Sequence, residues 1–309
     1  LQAQTAYDAL MFSENNYEGS ARTVAMGNAF TALGGDLGSI GLNPAGSAVA
    51  NYSQVTLTPA LTLAASTTQG VSPYSDGSLP YFEKQMRSSI ARFSMPNLGM
   101  ALNFDTHRTS VLKSVTVGFV VNKTAGWDED VFASGTNSST SFMGAMAYEA
   151  TVDGLLGADL GASGAFEFMP WKPVVGFQSG MISTFGGYDD QYVGASEVIY
   201  DNGDVAIGGP LAQSYGRQVQ GGKYDYLFNI GANISDFIYL GANLGISSIE
   251  YGYDEYFKES AIDPSDFEIN MANGDRMYFK DMNYRYSYNA IGTGYYAKFG
   301  VILTPGGGL

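Results

Sequence analysis

Residues 226–246 decide the fold: Tyr226-Leu227-Phe228-Asn229-Ile230-Gly231-Ala232-Asn233-Ile234-Ser235-Asp236-Phe237-Ile238-Tyr239-Leu240-Gly241-Ala242-Asn243-Leu244-Gly245-Ile246. Tyr226, Phe228, Ile230, Ala232 and Ile234 take every second position, with Leu227, Asn229, Gly231 and Asn233 between them. Across Ser235-Asp236 the rhythm restarts, with Ile238, Leu240, Ala242, Leu244 and Ile246 set against Tyr239, Gly241, Asn243 and Gly245. A period of two puts one set on each face of a strand. Ser235-Asp236 is then a tight turn between two strands.

The same rhythm recurs outward from this stretch. Val55, Leu57, Pro59, Leu61 and Leu63 alternate with threonines, and Val115, Val117, Phe119 and Val121 alternate with Thr116, Gly118, Val120 and Asn122. Near the end, Met282, Tyr284, Tyr286 and Tyr288 alternate with Asn283, Arg285, Ser287 and Asn289. A soluble sandwich would carry Lys and Glu on its outer face. Here the intervening residues are Asn, Ser, Thr and Gly. That composition predicts aliphatic and Tyr residues facing lipid, and a confined polar lumen. On this reading Tyr284, Tyr286 and Tyr288 meet lipid, and Asn283, Arg285, Ser287 and Asn289 line the lumen.

Composition agrees with an all-β, transmembrane antiparallel β-barrel. Gly is 40 of 309 residues, roughly 13% against an average near 7%, and aromatic residues reach 14%. Such a mixture suits tight turns and interfacial aromatic girdles. Mean hydropathy is −0.05, and no window holds the roughly 18 apolar residues of a membrane-spanning helix. A net charge of −15 repels nucleic acid. Cysteine is absent, which removes disulfides, thiol catalysis and a lipid-anchored N-terminal Cys.

Connections alternate between short and long. Asp105-Thr106-His107-Arg108 and Ser235-Asp236 are short; 66–89, 123–222 and 251–281 are long and polar. Short turns at one end and long loops at the other are the habit of membrane barrels. About six strands are visible, whereas bacterial single-chain barrels have at least about 8. The expectation is that strands lie beyond Leu309 or hide in 123–222. The 123–222 stretch reads as a long extracellular helical insert, with helices expected after Ser139-Thr140-Ser141 and from Pro170 through Phe185. Residues 1–3 read as a signal-peptide remnant; together with the barrel reading, the expected location is the outer membrane of a Gram-negative envelope.

Residues 4–50 show no strand rhythm. They read as short helices and turns, too small to hold a core alone. Three ordered blocks carry a family likeness: Gly27-Asn28-Ala29-Phe30-Thr31-Ala32-Leu33-Gly34-Gly35-Asp36 through Asn43-Pro44-Ala45-Gly46; Met95-Pro96-Asn97-Leu98-Gly99; and Lys298-Phe299-Gly300-Val301-Ile302-Leu303-Thr304-Pro305. Together they resemble the FadL/TodX family of outer-membrane transporters, in particular Bacteroidetes members sometimes labelled hemin receptors. The resemblance implies a 14-stranded barrel plugged by an N-terminal hatch. It also implies passive uptake of long-chain fatty acids or aromatic hydrocarbons, by capture outside, passage beside the hatch and sideways exit into the membrane. An apolar solute prefers lipid to a water-filled channel.

Each singled-out residue has a functional and a structural reading. Asn43, Pro44, Ala45 and Gly46 form a hatch switch, or a rigid turn. Gly34, Gly35 and Asp36 hold the hatch against the wall, or form a Gly-rich helix stop and a solvated Asp. Arg22 meets a ligand head group, or makes a hatch-to-wall salt bridge. Phe142, Met143, Met146, Val174, Val175 and Met181 form an apolar capture surface, or pack the insert. The acidic clusters at 128–130, 189–190, 201/204 and 254–255 read as solvated loop charge rather than calcium ligands. No catalytic residue, metal or cofactor is expected. His107 is the single histidine and lies in a turn, which argues against a hydrolase and against axial haem ligation. The competing function is a non-transporting partner subunit of an outer-membrane secretion or assembly complex.

Overall fold

The computed structural model describes residues 6–69, 85–107, 111–200, 202–270 and 274–304. The signal remnant at 1–3, much of the 66–89 connection and the Gly306–Leu309 run fall outside them.

The N-terminal segment holds three short helices, α1 (Ala6–Ser13), α2 (Ala21–Ala25) and α3 (Gly46–Val49), with a 3-10 turn at Leu37–Gly41. Side chains start two of these elements. Ser20 accepts from Thr23 N at 3.2 Å, and Asp36 from Gly38 N at 2.8 Å, satisfying amides a first turn leaves unpaired.

Seven strands form one antiparallel sheet: β1 (Gln54–Thr68), β2 (Met86–Asp105), β3 (Leu112–Gly126), β4 (Glu129–Asn137), β5 (Leu211–Ile234), β6 (Ile238–Ala261) and β7 (Asp281–Leu303). The order is β1-β2-β3-β5-β6-β7, and β4 pairs with β5 beyond the end of β3. The sheet therefore takes up both ends of the 123–222 stretch, which the sequence analysis assigns to a helical loop insert. Its Gln-, Gly- and Ser-rich residues lack aliphatic rhythm, yet the backbone pairs continuously from Leu211 to Ile234. Among the described residues, no helix is long and apolar enough to cross a membrane, which says nothing of crossing by strands.

Between β4 and β5 lie α4 (Phe142–Val152), α5 (Gly157–Leu160), α6 (Trp171–Gln178) and two small hairpins. Ser141 caps α4 as its sequence predicts, accepting from Met143 N at 3.1 Å. The second helix is shorter than expected. It stops at Gln178, Gly180 turns at φ 75°, and Ile182 opens a strand.

The sheet has a hatch face and a bare face. On the short-turn half, the hatch face shows Asn97, Asn122, Asn229, Asn233 and Asn243, all buried under the N-terminal segment. The bare face there shows Val55, Leu63, Phe93, Phe228, Leu244 and Phe299. Ile291 and Phe299 are 84% and 81% exposed, so nothing among the described residues covers this belt.

On the long-loop half the polarity inverts. Tyr284, Tyr286 and Tyr288 fall on the hatch face, in line with Tyr296, and are wholly or partly buried; Asn283, Arg285, Ser287 and Asn289 fall on the bare face and are exposed. This corrects the sequence reading of these seven residues. The period was right, but which face is apolar, and which is covered, changes along the strand. Above the belt the insert covers the aromatic face: Phe142 stacks on Phe257 at 4.8 Å and Trp171 on Tyr286 at 5.1 Å.

Candidate functional site

The Asn43-Pro44-Ala45 turn is seated in a track of glycines. A Cβ on Gly300 would meet the Asn43 side chain, one on Gly241 the Pro44–Ala45 peptide, and one on Gly231 Ser47 and Ala48. These glycines lie on three neighbouring strands. Without side chains, they let the hatch backbone lie directly on the wall.

Around the track, wall asparagines satisfy hatch carbonyls. Asn243 Nδ2 donates to Ile40 O at 2.9 Å, Asn229 to Pro44 O at 3.0 Å, and Asn122 to Gly38 O at 3.3 Å. Lys298 Nζ reaches Gly41 O at 2.7 Å. From the hatch, Asn43 Nδ2 donates to Thr31 O at 2.7 Å and to Val301 O at 3.1 Å, while its Oδ1 accepts from Ala45 N. Short turns leave buried carbonyls that need donors. Neutral hydrogen bonds contribute about 1 kcal/mol each, so this seam is specific but can be opened bond by bond.

The other hatch residues fall out differently. Gly34 and Gly35 adopt φ 61° and 77°, and a Cβ on Gly34 would press on Val49 and Ile302. Both left-handed backbone and close approach demand glycine there. Gly46 O accepts from Gly35 N at 2.8 Å. Asp36 is not a solvated charge: it caps the 3-10 turn and accepts from Ser20 Oγ at 2.7 Å. Arg22 is exposed and lies over the Phe30 ring at 5.4 Å; among the described residues it forms no ion pair with the wall.

The wall splits above this seat. β2 pairs with β3 only from Asn97↔Asn122 to Asp105↔Ser114. At that level Pro59 opposes both Met95 and Pro96, giving a bulge in the β1–β2 register. Proline has no N–H to donate, and a bulge bends its strand. Beyond it β2 keeps ladder pairing with β1 alone, and only side chains bridge to β4, as where Ser88 Oγ donates to Asp130 O at 2.8 Å. A cavity of about 520 Å³ opens at the split, lined by Arg92, Phe93, Lys123, Tyr224 and Tyr251 among others.

Residues 12–18 lie along this opening. Glu18 N and Asn16 N donate to the carbonyls of Lys123 and Thr124 at 2.9 and 2.6 Å, the edge of β3 that β2 has vacated. Lys123, itself buried, pairs with Glu18 at 3.0 Å. Lys223 Nζ holds Phe12 O and Asn15 Oδ1, and Phe12 meets Trp127 and Tyr251 edge-on at 5.6 and 5.5 Å. Sequence reasoning missed this strap: its partners are far apart in the chain, and neither side has a periodic signal.

At the far end, a second cavity of about 470 Å³ lies between insert and β7. Met143, Val175 and Met181 line it, with Trp171, Met282 and Arg285. Of the remaining expected capture residues, Met146 and Val174 are fully buried in the insert's own core, and Phe142 stacks on the wall rings Phe257 and Tyr284. The set thus divides between pocket and packing. Asp128 and Glu129 are not loop charges in water: they pair with Arg92, at 3.6 Å, and with Arg217. His107 sits exposed in the β2–β3 turn, 3.7 Å from Asp105.

These features define a sheet with an apolar belt on its bare face, the N-terminal segment seated on the other, a split edged by a strap, and an apolar pocket beneath a helical insert. Comparison with family models, with curated proteins and with solved structures returns no match in any of the three.

Proposed function

We propose that this chain forms the hatch-bearing wall of an outer-membrane β-barrel of the FadL/TodX type. Its function is passive uptake of hydrophobic small molecules. The observation that carries this reading is the bare apolar belt across six strands. On β6 it runs from Ile238 to Ile246 and gives way to Ser248, Glu250 and Asp254. That is roughly 27 Å along the strand, and a tilt near 40° leaves about 21 Å, most of the ~25 Å band of a membrane barrel. The accessible surface of 17573 Å² also exceeds the about 12,500 Å² of a compact soluble chain of this mass. Lipid tolerates no open sheet edge. The wall therefore closes through further strands joining β7 to β1, fourteen in all by the family resemblance.

In this reading the ligand enters the apolar pocket at Met143, Val175 and Met181. It moves along the aromatic hatch face past Tyr286, Tyr253 and Tyr251, and leaves through the split between β2 and β3. A fluorescent long-chain carboxylate and a fluorescent aromatic hydrocarbon, offered to proteoliposomes, test it. Release into the lipid faster than in protein-free vesicles is expected, and rates equal to protein-free vesicles reject transport. Met181→Asp is expected to weaken probe binding about tenfold, the loss of roughly 1.4 kcal/mol of apolar contact; unchanged binding would move capture elsewhere. Leu244→Arg places a charge mid-belt and is expected to cost about 2–4 kcal/mol of membrane stability. Urea titration in bilayers measures it, and a soluble protein would lose nothing.

A second reading has one observation in its favour. Tyr148, Val152, Phe166 and Phe168 on the insert are more than half exposed, a surface that fits a partner subunit. Stable co-purification with a larger complex, together with no uptake in proteoliposomes, would favour that role.

A further inference from the structure

Glu259 stands on β6 far above the belt, yet its side chain is completely buried. Its carboxylate accepts from Phe142 N at 2.7 Å, Gln213 Nε2 at 2.6 Å and Ser141 Oγ at 2.8 Å. Ser141 also meets Ser196 Oγ at 2.5 Å. Beside Ser196, Glu197 accepts from Gly194 N at 2.7 Å and packs against Gly144, leaving no room for a Cβ there. Two carboxylates thus grip the first turn of α4, one from the wall and one from the insert. Among the described residues neither forms an ion pair.

The surroundings supply no cation to Glu259. β5 contributes neutral Gln213, and β7 places Met282 opposite. α4 gives Ser141 and the Phe142 amide; the hairpin gives Ser196 and the Glu197 carboxylate. Lys258 takes the opposite face of β6, and Asp281 is exposed. The same α4 turn carries Phe142, stacked on the wall, and Met143, which lines the apolar pocket. Glu259 is therefore a direct polar link from barrel wall to pocket wall.

We propose that Glu259 is the positioning residue that fixes the capture pocket to the wall, and that the insert loosens when Glu259 and Glu197 are both ionised. The positional half of this rests on the capture role given to the pocket. The electrostatic half follows from burial. Burial pushes the Glu259 carboxyl above its usual range, against the lowering effect of its hydrogen bonds. Burial and then the neighbouring Glu259 charge do the same to Glu197, with the Gly194 amide opposing. A folded-state value above the unfolded one means the added stability is present at acid pH and lost as pH rises through the folded value. Two like charges that face each other with no cation between them are the costly state.

Hydrogen exchange of the α4 amides in the whole protein in nanodiscs, without ligand, tests the latch from about pH 5 to about pH 9, corrected for intrinsic rates. In the wild type, protection is expected to fall at least tenfold with rising pH. Glu259→Gln keeps the shape but cannot ionise, and is expected to flatten that dependence; Glu197→Gln is expected to reduce it. A pH-independent wild type, or an unchanged slope in both variants, overturns the proposal. Should Glu259→Gln fail to fold, the wild-type series and Glu197→Gln still decide. Binding of the fluorescent carboxylate over the same range separates the two ideas. If exchange behaves as expected but binding ignores pH and both variants, the latch stands, its link to the pocket is overturned, and capture lies elsewhere.

Discussion

Gly241→Leu is expected to unseat the hatch and open an ion leak through the wall it plugs. The new Cβ would fall on the Pro44–Ala45 peptide, and backbone packed between Gly300 and Gly231 has nowhere to go. Ala45 and Ala48 beside it are fully buried, so no void absorbs the added volume. The turn must lift, and with it go the Asn43–Val301, Asn229–Pro44 and Asn243–Ile40 hydrogen bonds. Overpacking costs about 1–3 kcal/mol and three neutral hydrogen bonds about 3 more, on the order of 5 kcal/mol against the seated hatch. Conductance in planar bilayers reads the outcome, with exchange protection at 37–49 as a second measure. The wild type should be tight and the variant leaky and unprotected. A silent, fully protected Gly241→Leu would mean the glycine track is no seat.

That seat was partly legible beforehand. The two-residue rhythm at 226–246 gives strand direction and the partition of faces, and it placed Asn229, Gly231, Gly241 and Asn243 together on the polar side. It did not say that these residues receive the N-terminal segment, because contact between Pro44 and Gly241 is set by how that segment docks across three neighbouring strands. The rhythm also misassigned Tyr284 to Tyr288. Alternation separates two faces but is silent about what each one meets, and that changes where the strand leaves the belt. The capture residues divide for a similar reason. Met143 and Met146, or Val174 and Val175, share one apolar helix pattern. Which of them meets a pocket depends on how the helix docks, information carried by β7 and not by the helix. Glu259 was invisible because 251–281 reads as a long polar connection, where an acidic residue is solvated charge; the structure instead carries β6 on to Ala261, and only burial under Ser141 and Gln213 marks Glu259.

Locking the strap should stop release of ligand into lipid. Glu18 and Lys123 form an antiparallel bridge, and the Cα separation of such a pair lies within the roughly 4.4–6.8 Å a disulfide spans. The protein has no cysteine of its own, so Glu18→Cys with Lys123→Cys gives the only thiols present. Replacing both partners leaves no buried charge unpaired, which keeps the cost of the change small. Oxidised, the variant ties residues 16–18 to the edge of β3, and the opening at Arg92 and Tyr251 cannot widen. Release of the fluorescent probes should fall at least tenfold, while Leu244 and its belt still hold the protein in the bilayer. Reduced, the strap keeps its backbone bonds to Lys123 and Thr124 but loses the ion pair, so release should recover and exceed the wild-type rate. Equal release in the oxidised and reduced forms would show that ligand does not pass between β2 and β3. The strap would then be a fastening for the hatch, and the route through the wall would have to be sought at another seam.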